Sequence, residues 1–429
     1  GYVVTGSDDE IFEPSRSRLA AKGLLPDKLG WYPEQNIHAN LDAVILGMHA
    51  TIDNPELLKA QKLGIKIYSY PEYVYEVSKN KQRVVIAGSH GKTTITSMVL
   101  HVLKENKKKI DYLVGAQIEG FDNMVKLSNA PVIVIEGDEY LASPIDKIPK
   151  FLKYKHHIVS ISGIAWDHVN VFPTFDSYTK QFELLIHATP KAGIIIYNQD
   201  DKVLNSIVKE VKREDILKVP YTVHKNKVKD GVVNLIFESE KFPVHFFGEH
   251  NLYNVSAAFE ICTRIGISEL GFYNAIKSFK GAANRLEKIG ESAKTLVFKD
   301  FAHSPSKLKA TTKAVADQFP NKNFIACIEL HTFSSLNANF IAQYESTFDE
   351  PDTAIVYFNP HTIKHKRLPD LSVEDVKKAF KRKDLEVFTD SKAVFEHIQN
   401  KLKNDNVVLL MTSGNFDGID INKQIKSFL

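Results

Sequence analysis

Short β-branched runs alternate with stretches of helical periodicity through the first eighty or so residues: Val3-Val4-Thr5, Ala43-Val44-Ile45-Leu46 and Ile65-Lys66-Ile67-Tyr68. This is the rhythm of parallel βαβ units. A second segment opens at Val84 and carries continuous apolar runs at 131–136, 158–162 and 193–197. Runs without polar alternation predict strands covered on both faces of a sheet. A third segment follows Lys280-Gly281-Ala282-Ala283, with strands predicted at 295–298, 324–328, 354–358 and 407–411. The expected fold class is α/β in three domains, 1–80, 81–282 and 283–429, the central one built on a mostly parallel sheet. No solenoid repeat or low-complexity tract interrupts the pattern.

Composition narrows the function more than the fold. With 429 residues, 43% hydrophobic and 25% charged, the chain can bury several cores and is neither disordered nor collagen-like. Its 55 basic and 52 acidic residues leave a net charge of +3, which gives no support to nucleic-acid binding. Lys107-Lys108-Lys109 and the lysines between 377 and 383 read as solvated helix faces or ends. Cys262 and Cys327 are the only cysteines; they form neither a metal-ligand spacing nor a disulfide framework, which fits a reducing cytosol. No apolar run reaches the length of a membrane span. Small molecules are therefore the expected partners, with no nucleic acid and no membrane.

The candidate chemistry starts at Gly88-Ser89-His90-Gly91-Lys92-Thr93-Thr94, between the β-branched run Arg83-Val84-Val85-Ile86 and an apolar-periodic helix. Backbone N–H groups of such a loop close around phosphate oxygens at a helix N-terminus, Lys92 reaches the β/γ-phosphates, and the Thr93 hydroxyl ligates Mg²⁺. ATP and Mg²⁺ are the cofactors this predicts. Ile86 stands where the common phosphate loop has its first glycine. The strand predicted at 131–136 delivers Glu136-Gly137-Asp138-Glu139-Tyr140 at its C-terminal end, where open α/β sheets gather ligand groups. Alone, such acidic residues read as loop solvation; beside a phosphate loop they become candidate Mg²⁺ ligands. The next strand runs into Asp167-His168, a histidine as readily structural as a ligand.

The order of these motifs resembles the Mur ligases, ATP-dependent amide-forming enzymes of peptidoglycan precursor metabolism. Gly1-Tyr2-Val3-Val4-Thr5-Gly6-Ser7-Asp8 resembles the second strand of their UDP-binding domain, and Asp53-Asn54-Pro55-Glu56 a later turn. Next come the family's phosphate-loop variant, Glu136-Gly137-Asp138-Glu139 and Asp167-His168. Gly248-Glu249-His250-Asn251, with Asn254, Ala257 and Ala258, resembles the adenine-binding helix start. Asn284-Arg285-Leu286-Glu287 and Asp300-Phe301-Ala302-His303-Ser304-Pro305 resemble the opening of the third domain. The resemblance implies a UDP-sugar-binding Rossmann-like first domain whose first strand and Gly-rich turn are missing before Gly1, a central ATPase domain, and a Rossmann-like amine-binding third domain.

It also implies roles. Lys92, Glu136, His168 and His303 would be catalytic, with His303 near the incoming amine. Thr93, Glu136 and His168 would hold Mg²⁺. The loop residues Gly88 to Thr94, with His250, Asn251, Arg285 and Asp300, would bind ATP, and Ser7 and Asp8 would face the uridine nucleotide. Such enzymes transfer the γ-phosphoryl group to a carboxylate and let an amine displace it, so cations are needed where negative charge gathers.

Within the family, the start of the chain and Asp300-to-Pro305 resemble the branch acting on UDP-N-acetylmuramate. Its L-alanine-adding members carry Pro-His-Arg-Tyr-Thr-Arg after the second strand of the third domain, where the arginines hold the alanine carboxylate. Here that stretch reads Leu330-His331-Thr332-Phe333-Ser334-Ser335. Hydroxyls cannot replace a bidentate guanidinium. The expectation is therefore the recycling ligase for L-alanyl-γ-D-glutamyl-meso-diaminopimelate, with His331, Thr332 and Ser335 lining the amine pocket. Lys364, His365, Lys366 and Arg367 are the nearby cations for the peptide's carboxylates. The alternatives are the L-alanine ligase, a non-enzymatic nucleotide-binding homologue, and a small-molecule kinase; against the kinase stand the element from Gly248 to Asn254 and the third α/β domain.

Overall fold

The computed structural model describes residues 2–429 except 14, 119, 122 and 230, and divides into two compact units, 1–80 with 139–155, and 81–138 with 156–429. Gly1, which opens the run compared above with a UDP-binding strand, lies outside the described residues.

The first unit has a parallel pair, Val44–Leu46 with Ile67–Ser69. Helix Pro55–Lys62 starts where the Asn54 side chain accepts the N–H groups of Glu56 and Leu57, and Tyr70–Ser78 starts at a reciprocal Ser69–Glu72 capping box. Both caps satisfy donors that a first helical turn leaves open. The run 3–5 forms no strand. Val3 and Val4 are exposed, and the one bridge nearby joins Asp8 to Gly30; without a hydrogen-bonded neighbour a β-branched run makes no ladder.

The segment 139–155, expected inside the central domain, packs with the first unit. It forms an antiparallel hairpin, Leu141–Ser143 with Asp146–Pro149, and the short helix Lys150–Lys153 against Tyr70–Ser78. Lys153 bridges Glu72 at 3.1 Å and also pairs with Asp146.

The second unit holds two sheets. In the seven-stranded sheet, Gln82–Ala87 lies between Val132–Glu136 and Ile158–Ile161, all parallel. Ile194–Asn198 and Leu217–Tyr221 extend one side, and Asp111–Leu113 and the antiparallel edge Val125–Lys126 the other. Chain order reverses at Gln82–Ala87, so a crevice opens at the C-terminal ends of these three strands. The helices Lys92–Glu105 and Glu249–Arg264 pack together over it, with Met98, Val99, Val255 and Ala258 fully buried.

Sequence periodicity did not predict the three-stranded antiparallel sheet Asn226–Lys229, Val232–Phe237 and Glu240–Val244, which buries Leu235 and Phe242 against the same core.

The six-stranded sheet runs Glu287–Glu291, Thr295–Asp300, Asn406–Met411, Asn323–Leu330, Thr353–Phe358, Glu386–Phe388, with only the first pair antiparallel. Side chains alternate between faces: Phe324, Ala326 and Ile328 enter one core, Ile325 and Cys327 the other. That explains the uninterrupted apolar runs. Among the described residues no helix is long and apolar enough to cross a membrane.

Candidate active site

The phosphate loop follows Gln82–Ala87 and ends in helix Lys92–Glu105. Gly88 (φ +119°) and Gly91 (φ +77°) resist replacement, because a side chain would strain the backbone at both and its Cβ would lie 2.2 Å from Ser162 Oγ at the first and 2.3 Å from Asn254 Oδ1 at the second. Lys92 Nζ donates to Gly88 O at 2.8 Å, folding the ammonium over the loop. The Ser89 hydroxyl is taken up by Tyr178 OH (2.7 Å) and Ala165 N (2.8 Å), and its backbone N–H donates to Gly163 O at 3.0 Å, so Ser89 braces the loop. His90 Nε2 lies 2.6 Å from Ser306 Oγ. Burial first, then the positive charge of Lys307, pushes His90 down to about 3, so it is neutral at pH 7.

Glu136 meets the loop as predicted from sequence order: Thr93 Oγ1 donates to Oε1 at 2.7 Å and Gly115 N to Oε2 at 2.9 Å. His168 is held in a left-handed conformation (φ +55°), its N–H bonded to its neighbour Asp167 Oδ1 at 2.8 Å. Asp138 is a carboxylate gathered with His168, a ligand atom of each lying within 4.8 Å of the other. Glu136 and His168 were expected to share a metal; Asp138 is the residue that expectation passed over, although it stood in the same acidic run. Hydroxyl and carboxylate oxygens beside a phosphate loop are the hard donors Mg²⁺ takes together with phosphate. The residues present therefore fit that ion.

A cavity of about 470 Å³ next to the loop is lined by Thr94, Phe247, Asn251, Arg285, Phe298 and Phe319, among others. Asn251 Nδ2 donates to Phe247 O at 2.9 Å, and Asn254 Nδ2 to Asn251 Oδ1 at 3.2 Å, fixing the amide that faces the cavity. His250 is not among the lining residues; burial pushes it down to about 4. The Arg285 guanidinium stacks on Phe301, 4.6 Å from the ring centroid. Burial lowers its pKa, opposed by the charges of Asp300 and Glu136. Both oxygens of buried Asp300 accept backbone N–H groups, from Leu286 and Ala302, each at 2.7 Å. Its carboxylate clasps the entry to the third domain, whatever else it binds.

The third domain reaches the phosphate loop through helix Pro305–Gln318. His303 Nδ1 lies 2.8 Å from Phe301 O, and its Nε2 3.3 Å from Lys307 Nζ. Asp167 Oδ2 lies 3.6 Å from Lys307 Nζ and 3.8 Å from His303 Nε2. Burial acts to raise Asp167, yet these partners hold its carboxyl well below the ordinary range. Sequence reasoning missed Lys307; its place two residues into a helix beside Asp300 to Pro305 was the available signal.

Along the same sheet edge, His331 Nδ1 lies 3.6 Å from Glu329 Oε1. Thr332 Oγ1 donates to Ser335 Oγ at 2.9 Å and accepts Ser335 N at 3.0 Å, so the two hydroxyls close a turn on each other. In the first unit, Ser7 Oγ donates to Glu56 Oε1 (2.8 Å) and accepts from Asn36 Nδ2 (2.7 Å), while Asp8 Oδ1 accepts Glu10 N at 3.4 Å. Asn36 was not foreseen.

Residues 86–262 match the family model of the Mur ligase middle domain, and 284–414 that of the Mur ligase glutamate ligase domain. A UDP-N-acetylmuramate–L-alanine ligase of Sulfurihydrogenibium sp. is 32% identical over 364 residues, covering 83% of this chain and 77% of the relative. That of Persephonella marina is 29% identical, covering 100% and 92%. The fold is shared with a murein peptide ligase from Psychrobacter arcticus (TM-score 0.67, 20% identity, 99% and 93% covered). It is shared too with a UDP-N-acetylmuramate-alanine ligase from Thermotoga maritima (TM-score 0.70, 18% identity, 96% and 90% covered).

Proposed function

This chain belongs to the Mur ligase family of ATP-dependent, ADP-forming amide ligases with a three-domain α/β architecture, and we propose that it joins UDP-N-acetylmuramate to L-alanyl-γ-D-glutamyl-meso-diaminopimelate. The carrying observation is the closed Thr332–Ser335 turn. Two hydroxyls bonded to each other offer a free amino acid's carboxylate no charged, bidentate partner. The names of the curated relatives favour L-alanine as amine instead, and that reading is the competitor.

In this reading the domains are 1–80, 81–282 and 283–429, with the hairpin 139–155 lent to the first. Ser7 and Asp8 face the uridine nucleotide. Gly88 to Thr94 hold the phosphates, with Lys92 on the transferred group. Asn251 meets adenine, and Arg285 neutralises charge from the third-domain side. Thr93, Glu136, His168 and Asp138 are the residues that would hold Mg²⁺, which when bound supplies charge neutralisation for phosphoryl transfer.

The muramate carboxylate attacks the γ-phosphorus, its bond to the bridging oxygen breaks, and ADP leaves. The acyl phosphate then takes the amine, and phosphate leaves the tetrahedral intermediate. Lys92 and Arg285 stabilise charge in both steps. In this reading His303, whose pKa burial and then the charge of Lys307 lower, accepts the proton the amine loses.

Competition kinetics with UDP-N-acetylmuramate, ATP and both amines tests this. A kcat/KM higher for the tripeptide by about 10- to 100-fold is expected, from loss of one charge-assisted bidentate contact to alanine. Preferential formation of UDP-N-acetylmuramoyl-L-alanine would make the competitor correct.

A further inference from the structure

The turns after Thr295–Asp300, Asn406–Met411, Asn323–Leu330 and Thr353–Phe358 all open on one sheet edge, because these strands are parallel and adjacent in that order. His303 follows the first and Thr332, Phe333 and Ser335 the third. The fourth leads through Asn359 into helix Pro360–His365, which ends at Lys366.

Phe333 is 42% exposed, an open aromatic face between two hydroxyls that have closed on each other. Lys366 Nζ sits 4.5 Å from its ring centroid. The Lys366 backbone is fixed as well, its N–H bonded to Thr362 O at 3.0 Å. Lys364, His365 and Arg367, the other cations of this stretch, are exposed.

We propose that Lys366, seated on Phe333, is the cation that binds a distal carboxylate of the incoming peptide and so selects a peptide over a single amino acid. This rests on the tripeptide reading above. The argument is one of reach. The ammonium lies on Phe333, just beyond Leu330, and two strand spacings separate that strand end from the one at Asp300, about 10 Å. An amino acid whose amine lies at His303 extends only about 3.5 Å, whereas three residues extend about 10 Å, the span to that ammonium. The carboxylate of alanine stops short of Lys366; those at the far end of an acidic tripeptide arrive at it. Phe333 holds the ammonium partly out of water, where its attraction for an anion is stronger. In keeping with this, burial lowers the Lys366 pKa.

The test compares wild type, Lys366→Met and Lys366→Arg with saturating ATP and UDP-N-acetylmuramate, varying the tripeptide and L-alanine in turn. Lys366→Met is expected to raise KM for the tripeptide about 10-fold or more, the loss lying in KM rather than kcat, and to shrink the ratio of tripeptide to alanine kcat/KM by the same factor. Lys366→Arg should recover most of it. A wild type that prefers the tripeptide beside a Lys366→Met protein with unchanged tripeptide KM would overturn the proposal alone. A KM lost equally in the methionine and arginine variants would reduce Lys366 to packing on Phe333. A wild type that prefers L-alanine would remove the tripeptide reading, and selection by Lys366 with it.

Discussion

Thr93 Oγ1 and Glu136 Oε1 are 2.7 Å apart, which joins the first turn of the phosphate-loop helix to the end of the neighbouring strand. Glu136→Gln keeps the shape and removes one charged oxygen donor. We expect a higher Mg²⁺ requirement and a lower rate, read from activity titrated with Mg²⁺ at fixed ATP. An unchanged titration would leave Glu136 as a brace for Thr93 and Gly115.

Lys92→Ala is expected to slow phosphoryl transfer by about 100-fold or more, equivalent to losing roughly 3 kcal/mol of electrostatic stabilisation. The thermal midpoint should move little, since Lys92 bonds the backbone of its own loop at Gly88 O. ADP release coupled to both substrates is the assay. Near-wild-type turnover in the folded variant would remove Lys92 from the chemistry.

Lys307→Met leaves the Asp167 carboxylate buried with a weaker partner. The expected cost is about 2–4 kcal/mol, read as a lower denaturant midpoint at constant m. Asp167→Asn combined with Lys307→Met should cost less than the two single changes summed, because the second change removes the charge the first exposed. Additive effects would show that the 3.6 Å approach carries no coupling.

His156 is 1% exposed and bonded through Nε2 to Thr189 Oγ1 at 2.9 Å. Burial, reinforced by His157 and Arg83, pushes it down to about 3. The unfolded imidazole, near 6.5, takes up its proton first. Stability is therefore full above about pH 6.5 and falls as pH drops from there toward 3, by roughly 2 kcal/mol at pH 5. His156→Gln should flatten part of that slope in chemical-denaturation curves between pH 7 and 4.5. An equally steep slope would assign the acid sensitivity elsewhere.

The parallel strands were legible because burial on both faces writes itself as unbroken apolar runs, and 131–136, 158–162, 324–328 and 407–411 all fall on strands. The phosphate loop was legible because Gly88 and Gly91 stand where backbone meets Ser162 and Asn254. Pairings between distant segments were not. Nothing in the periodicity of Asp138 or Lys307 says which turn each will face, and that Ser89 would turn to Tyr178 depends on a helix 89 residues away in sequence. The sheet 226–244 stayed hidden because short two-sided strands with lysines at alternate positions resemble solvated loops. The run 3–5 misled in the opposite direction, since β-propensity without a neighbour makes no strand.

The first unit is written into the chain in two pieces, and this bears on how the protein can be taken apart. A deletion ending at residue 80 does not excise a module. It strips helix Tyr70–Ser78 from the helix Lys150–Lys153, on which buried Phe151 sits, with buried Tyr154 next after it, and removes Glu72 from Lys153. A short hairpin and helix that lose their packing partner leave apolar surface uncovered, a sticky patch. A shortened protein made that way would tend to self-associate, and a loss of turnover in it would report aggregation before it reported anything about nucleotide-sugar binding. A cleaner dissection removes 139–155 together with 1–80 and closes the gap between Asp138 and His156 with a flexible linker.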